Sequence, residues 1–183
     1  MPIKPASNKA FLHENLLEQE LHLSASRPLI YLSLVAALML NLLVSENITL
    51  LVRPDFIALA VLYWNIHQPR QSGMSLAFVS GIIMDVVTAS IMGQHALAYC
   101  LLTFFALLFY RRLRMFSVFR QIPAILWMLL LSQIILLLIG MLTGTYLPDW
   151  HILLRSVSGG LIWPFIAITL TSLRKQEINP DEL

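Results

Sequence analysis

The sequence predicts an all-α integral membrane protein, a bundle of six transmembrane helices. Three observations lead there. Of 183 residues, 58% are hydrophobic and only 12% are charged, whereas a soluble domain carries about 25% charged residues. The apolar residues gather into six runs, each near the ~20 residues needed to cross ~30 Å of hydrocarbon. Lysine and arginine fall in alternate connections between these runs. Six such helices use ~120 residues, so the function is expected in the membrane part or in short loops and tails.

Residues 1–26 are polar, with Lys4, Lys9, Glu14, Glu18 and Glu20. A cleavable signal would bring its apolar core nearer the start, so this segment is expected to be a retained cytoplasmic tail. A short helix over 10–23 would spread its apolar residues around the wheel, which suits a loosely docked or interfacial segment. The spans are expected at 28–45, 49–66, 73–92, 95–110, 122–142 and 152–172. Pro28 fits the first turn of the first span, where its missing N–H has no helical partner anyway. The organisation is then a tail over 1–26, a six-helix membrane domain over 27–173 and a second tail over 174–183.

Charge sets the orientation. Lys4, Lys9 and Arg27 precede span 1, Arg70 separates spans 2 and 3, and Arg174 and Lys175 follow span 6. Arg111, Arg112, Arg114 and Arg120 fill the connection between spans 4 and 5. The other connections hold only Glu46 and Asp149. Span 4 is short and span 2 carries two charges, which leaves five spans as the alternative, but this alternation puts both termini in the cytoplasm and supports six over five. Tyr63, Trp64 and Tyr110 fall at inner ends and Tyr146 and Trp150 at an outer one, where interfacial aromatics belong.

Four charges remain inside the spans: Arg53 and Asp55 in span 2, Asp85 in span 3 and Arg155 in span 6. At 1.5 Å per residue all four lie roughly 5–10 Å below the outer surface. An ionised group there costs at least ~2.5–3.5 kcal/mol. A common depth and opposite signs predict pairing, for example of Asp85 with Arg53 or Arg155, around a cavity or partner-docking site. Structural aspartates and snorkelling arginines are the plainer reading. A proton or ion relay would need charged groups in the inner half of the spans, and none is there.

Span 3 carries Gly73, Ala77, Gly81, Asp85, Ala89 and Gly93 at every fourth position. Small residues at this spacing let another helix approach closely, so span 3 is expected to be a central helix or a docking face. In span 6, Pro164 deprives the Gly160 carbonyl of its helical donor and predicts a kink. The rest of the sequence argues against an enzyme. Cys100 is the single cysteine, which excludes an internal disulfide and a cysteine-based metal cluster. His13, His22, His67, His95 and His151 are scattered with no pair at i, i+4, so no metal site is expected. No glycine-rich phosphate loop and no set of nucleophile and base at one depth is present, so neither catalytic residues nor a cofactor are expected. The Arg111–Arg114 cluster suits anionic lipid better than nucleic acid.

The residues Arg53-Pro54-Asp55-Phe56, Tyr63-Trp64, Pro69, Gly73, Phe78, Gly81, Asp85, Gly93 and Ala96-Leu97 resemble the MreD family of rod shape-determining membrane proteins. Leu161-Ile162-Trp163-Pro164-Phe165, followed by Arg174-Lys175, is similar too. The match covers roughly a third of the chain as spaced single residues, and the polar N-terminal segment has no counterpart in it. The resemblance implies a non-catalytic subunit of the bacterial inner-membrane elongation machinery. It implies association with MreC and, through it, with MreB filaments and the peptidoglycan synthases RodA and penicillin-binding protein 2. It also implies a fold related to the substrate-binding S components of vitamin transporters, so the alternative function is a solute-binding transport subunit. Arg53, Asp55, Gly73, Ala77, Gly81, Asp85 and Arg155 are then expected to form or support the contact with MreC.

Overall fold

The computed structural model describes residues 27–43, 54–144 and 154–178, with side chains to Arg174. The expected N-terminal tail, residues 179–183 of the expected C-terminal tail, Glu46, Arg53, Tyr146, Asp149 and Trp150 lie outside the described residues, whereas 174–178, expected in the tail, continue the last helix. Six α-helices make up the described chain, with no strand among them: α1 (Arg27–Leu43), α2 (Phe56–His67), α3 (Gly73–Val87), α4 (Gln94–Met115), α5 (Val118–Leu142) and α6 (Leu154–Ile178). The helices α4, α5 and α6 are each long and apolar enough to cross a membrane, and α1, α2 and α3 are shorter.

Several helices differ from their expected extents: the third ends at Val87 instead of 92, the last runs to Ile178 instead of 172, and the second and fourth differ as follows. The second has 12 residues, about 18 Å at the α-helical rise, because Asp55 caps it well inside the expected span. The fourth has 22 residues, about 33 Å. It runs on through the arginines expected in a loop, so that Arg112 and Arg114 stand in its last turn. Cations there oppose the negative end of the helix dipole.

The centre of the bundle is α2 rather than the third helix. It is apolar all round, and a helix without a polar face has to be covered on every side. Ten of its 12 residues, Ile57 to Ile66, are buried. It contacts α1, α4 and α6 and, more lightly, α3. Tyr63 and Trp64, expected as interfacial aromatics, are fully buried here. Consecutive helical residues point about 100° apart, so Tyr63, Trp64 and Asn65 address three different neighbours. The Tyr63 hydroxyl meets Thr171 Oγ1 of α6 at 2.9 Å. The Trp64 indole donates to Ser33 Oγ of α1 at 2.7 Å. The Asn65 amide donates to Thr103 Oγ1 of α4 at 3.4 Å and accepts from Ser72 Oγ at 3.3 Å. Each such bond contributes about 0.6 kcal/mol on average between membrane helices, up to about 1.7.

The last two helices pack closely at Gly159 and Gly160. A Cβ on Gly160 would stand 3.3 Å from Leu126 Cβ of α5. The helix α6 continues through Pro164 to Ile178. Near the turn from α4 to α5, the buried Gln121 amide donates to the carbonyls of Leu113 and Phe116 at 3.0 and 3.1 Å. Its oxygen accepts from the Trp163 indole at 3.2 Å. One side chain thus ties the α4–α5 turn to α6.

Candidate functional site: a carboxylate network at the start of α4

Asp55 and Asp85 are brought together at one end of the bundle, though not in the way the charges alone suggested. Asp55 is the N-cap of α2, with extended backbone (φ −85°, ψ 95°). Its Oδ1 accepts from the Ala58 N–H at 3.1 Å, satisfying one of the orphan donors of a helix start. The same oxygen accepts from Asn41 Nδ2 of α1 at 3.2 Å, and Asn41 Oδ1 in turn accepts from the Phe56 N–H at 3.2 Å. The other oxygen, Oδ2, accepts from the Tyr99 hydroxyl of α4 at 2.5 Å. Asn41 also reaches Met84 Sδ of α3, at 3.8 Å. One capping carboxylate therefore gathers α1, α2 and α4 and, through Asn41, touches α3.

Asp85 is built by the turn that follows it. The helix ends in a Schellman motif: the Ser90 N–H donates to the Asp85 carbonyl at 3.0 Å and the Ala89 N–H to the Val86 carbonyl at 3.3 Å. Ala89 takes the left-handed position at φ 50°, which costs a non-glycine residue about 1–2 kcal/mol. Gly93 follows at φ 98°, a conformation glycine adopts without that cost. The chain thereby doubles back and aims its donors at the carboxylate. Oδ2 accepts from the Gly93 N–H at 2.8 Å. Oδ1 accepts from the His95 N–H at 2.8 Å and from Ser90 Oγ at 3.0 Å, and His95 Nδ1 lies 2.8 Å from it. These donors all come from residues 90–95, so among the described residues Asp85, 1% exposed, is held by its own turn. The His95 ring packs edge-on to Tyr99 at 6.0 Å. The chain Asp85–His95–Tyr99–Asp55–Asn41 is therefore continuous.

Close backbone approach makes this possible. A Cβ on Gly81 would stand 2.3 Å from Ala96 Cα and 2.5 Å from Ala96 N. The face bearing Ala77, Gly81 and Asp85 is buried, and Gly81 marks where α4 lies against it. The middle of the ladder, Ala77, Gly81 and Asp85, thus faces α4 of the same chain. Its last two members, Ala89 and Gly93, lie beyond the helix in the turn, and Gly73 opens α3 at φ 56° with nothing close to a Cβ there. Arg155 stands half-buried in the first turn of α6.

The arrangement also brings a serine, a histidine and an aspartate into contact. It is not a nucleophile triad, because Ser90 Oγ (3.3 Å) and Asp85 Oδ1 both meet the same ring nitrogen, Nδ1. Activation needs the hydroxyl on the nitrogen opposite the carboxylate. What the geometry does is hold helices in register. Sequence reading missed Asn41, Ser90, His95 and Tyr99. The available signals were the i, i+4 spacing of His95 and Tyr99 on one face of α4 and the lone amide of Asn41 in an apolar run.

The family model of the rod shape-determining protein MreD matches residues 23–173. The rod shape-determining protein MreD of Haemophilus influenzae is 22% identical over 126 residues, covering 69% of this chain and 78% of that protein. No solved structure matches. With the family model covering most of its length, the chain belongs to the MreD family of rod shape-determining proteins, and its described residues form six α-helices, three of them long and apolar enough to cross a membrane.

Proposed function

We propose that this chain is a non-catalytic scaffold of the rod-shape elongation machinery in the bacterial inner membrane. It crosses the membrane six times with both termini cytoplasmic, binds MreC, and helps link MreB filaments to RodA and penicillin-binding protein 2. The observation that carries this reading is the use of both intramembrane carboxylates as internal fasteners. A solute carrier or an enzyme needs polar groups aimed at a ligand, whereas these are spent on the protein's own backbone and side chains. Gly81, Ala77 and Asp85, with Asp55, support the MreC contact from behind by fixing α3 on α4. The opposite face of α3, with Phe78, Val79 and Val86 exposed, then runs alongside the single membrane helix of MreC. Arg53 and Arg155 take the register-setting role at the outer end, and Gly73 leaves the inner end open.

The test is mild-detergent co-purification of a tagged copy from native membranes, with disulfide crosslinking from Phe78→Cys and Val79→Cys in a Cys100→Ser background. Recovery of MreC with crosslinks from these positions supports the reading. Recovery of paired ATPases with a bound small molecule in place of MreC would move the function to S-component-like transport.

A further inference from the structure

At the opposite end of α4 from the carboxylate network, residues of α4, α5 and the turn between them line a cleft of about 350 Å³. Its walls are Phe105, Phe109, Phe116, Trp127 and Met128, with a single cation, Arg112, among them. Phe109, Phe116 and Trp127 are substantially exposed. Residues 86–148 contain Arg111, Arg112, Arg114 and Arg120 and no acidic residue. Among the described residues no carboxylate pairs with Arg112, Arg114 or Arg120. Beside the cleft, Gln121 ties the α4–α5 turn to α6.

We propose that this cleft is a binding site for an anionic phospholipid, with an acyl chain against the aromatic walls and the phosphate on Arg112. The chemistry selects that occupant. A soluble anion gains nothing from a cleft walled by aromatic rings, and a zwitterionic lipid brings no net charge to an unpaired guanidinium. An amphiphile with a net negative head uses both. A basic residue at a membrane surface contributes about fivefold in affinity for an anionic lipid.

The full chain is reconstituted in phosphatidylcholine nanodiscs, with increasing fractions of phosphatidylglycerol or phosphatidylcholine carrying brominated chains, which quench nearby tryptophan. The share of Trp127 is the difference between the wild type and Trp127→Phe. The expected result is half-quenching of Trp127 at about fivefold lower fraction of the brominated anionic lipid than of the zwitterionic one. Arg112→Gln abolishes this preference, Arg112→Lys keeps most of it, and Arg27→Gln, a charge removed at the start of α1, leaves it intact. Equal quenching by the two lipids in the wild type would overturn the proposal. So would a preference that survives Arg112→Gln, or one lost equally with Arg27→Gln, which would mark general surface charge. Release of the preference by inorganic phosphate would assign the site to a soluble anion instead. Unchanged emission from the buried Trp64 and Trp163 confirms that each variant is folded.

Discussion

Adding one methyl group at Gly81 tests the packing that places Asp85. In Gly81→Ala the new Cβ falls 2.3 Å from Ala96 Cα and 2.5 Å from Ala96 N, against an ordinary contact of 3.4–4 Å. The neighbours are backbone atoms of α4, which cannot rotate away, so the two helices must part by about 1 Å. Overpacking of this kind costs about 1–3 kcal/mol, and the upper end applies because no flexible side chain can absorb the strain. The shift also lengthens the 2.8 Å bonds from the Gly93 and His95 N–H groups to Asp85. Gly159→Ala is the control: its Cβ meets the far end of a flexible side chain, Leu129 Cδ1, at 2.7 Å, which a rotamer change relieves for less than about 1 kcal/mol. Gly160→Ala, with Leu126 Cβ at 3.3 Å, falls between. Unfolding of the detergent-solubilised protein by sodium dodecyl sulfate, followed by tryptophan emission, reads the difference. About 2 kcal/mol between Gly81→Ala and Gly159→Ala corresponds to roughly a 30-fold change in the unfolding constant. Equal stability of the two variants would refute the close α3–α4 approach and the account of Asp85 with it.

Tyr99→Phe removes the hydroxyl donated to Asp55 and is expected to cost about 1.5–3 kcal/mol, as for a hydrogen bond to a charged group. The loss should be strongly non-additive with Asp55→Asn in the same titration, whereas additive losses would deny the bond. Asp85→Asn places an amide NH2 where one carboxylate oxygen accepted, leaving a buried N–H without its acceptor at about 1–3 kcal/mol. Amide hydrogen exchange at Gly93 or His95 should accelerate in response, and unchanged protection at both would contradict this. A double-mutant cycle between Trp64→Phe and Ser33→Ala should give a coupling of about 0.6–1.7 kcal/mol; a zero coupling would remove the α1–α2 bond from the account. For orientation, Ser117→Cys in a Cys100→Ser background should resist a membrane-impermeant maleimide in intact cells and react after permeabilisation, and Thr143→Cys should react in both. The reverse pattern would invert the topology.

Composition and the spacing of apolar runs were sufficient for the all-helical membrane class, since a chain so poor in charge has no way to solvate a globule. Family membership was legible in spaced single residues such as Pro54, Asp55, Gly81, Asp85 and Trp163. The importance of Asp55 and Asp85 was legible as well, because a carboxylate in an apolar run has to be compensated. Which groups compensate it was not. Arginine looked the natural partner on charge alone, but charge says nothing about backbone N–H groups, and the turn over 88–95 supplies two of them to Asp85. The small-residue ladder was legible as a close-approach surface, while its occupant, α4 of the same chain, was not. Position along a helix places Tyr63 and Trp64 in the interfacial belt but does not say which way a side chain is covered; the burial of α2 on all sides answers that. Period and composition are local properties and survive in the sequence. Hydrogen-bond partners, helix centrality and the identity of a packed face depend on how helices distant in sequence come to lie side by side, and only the tertiary structure decides them.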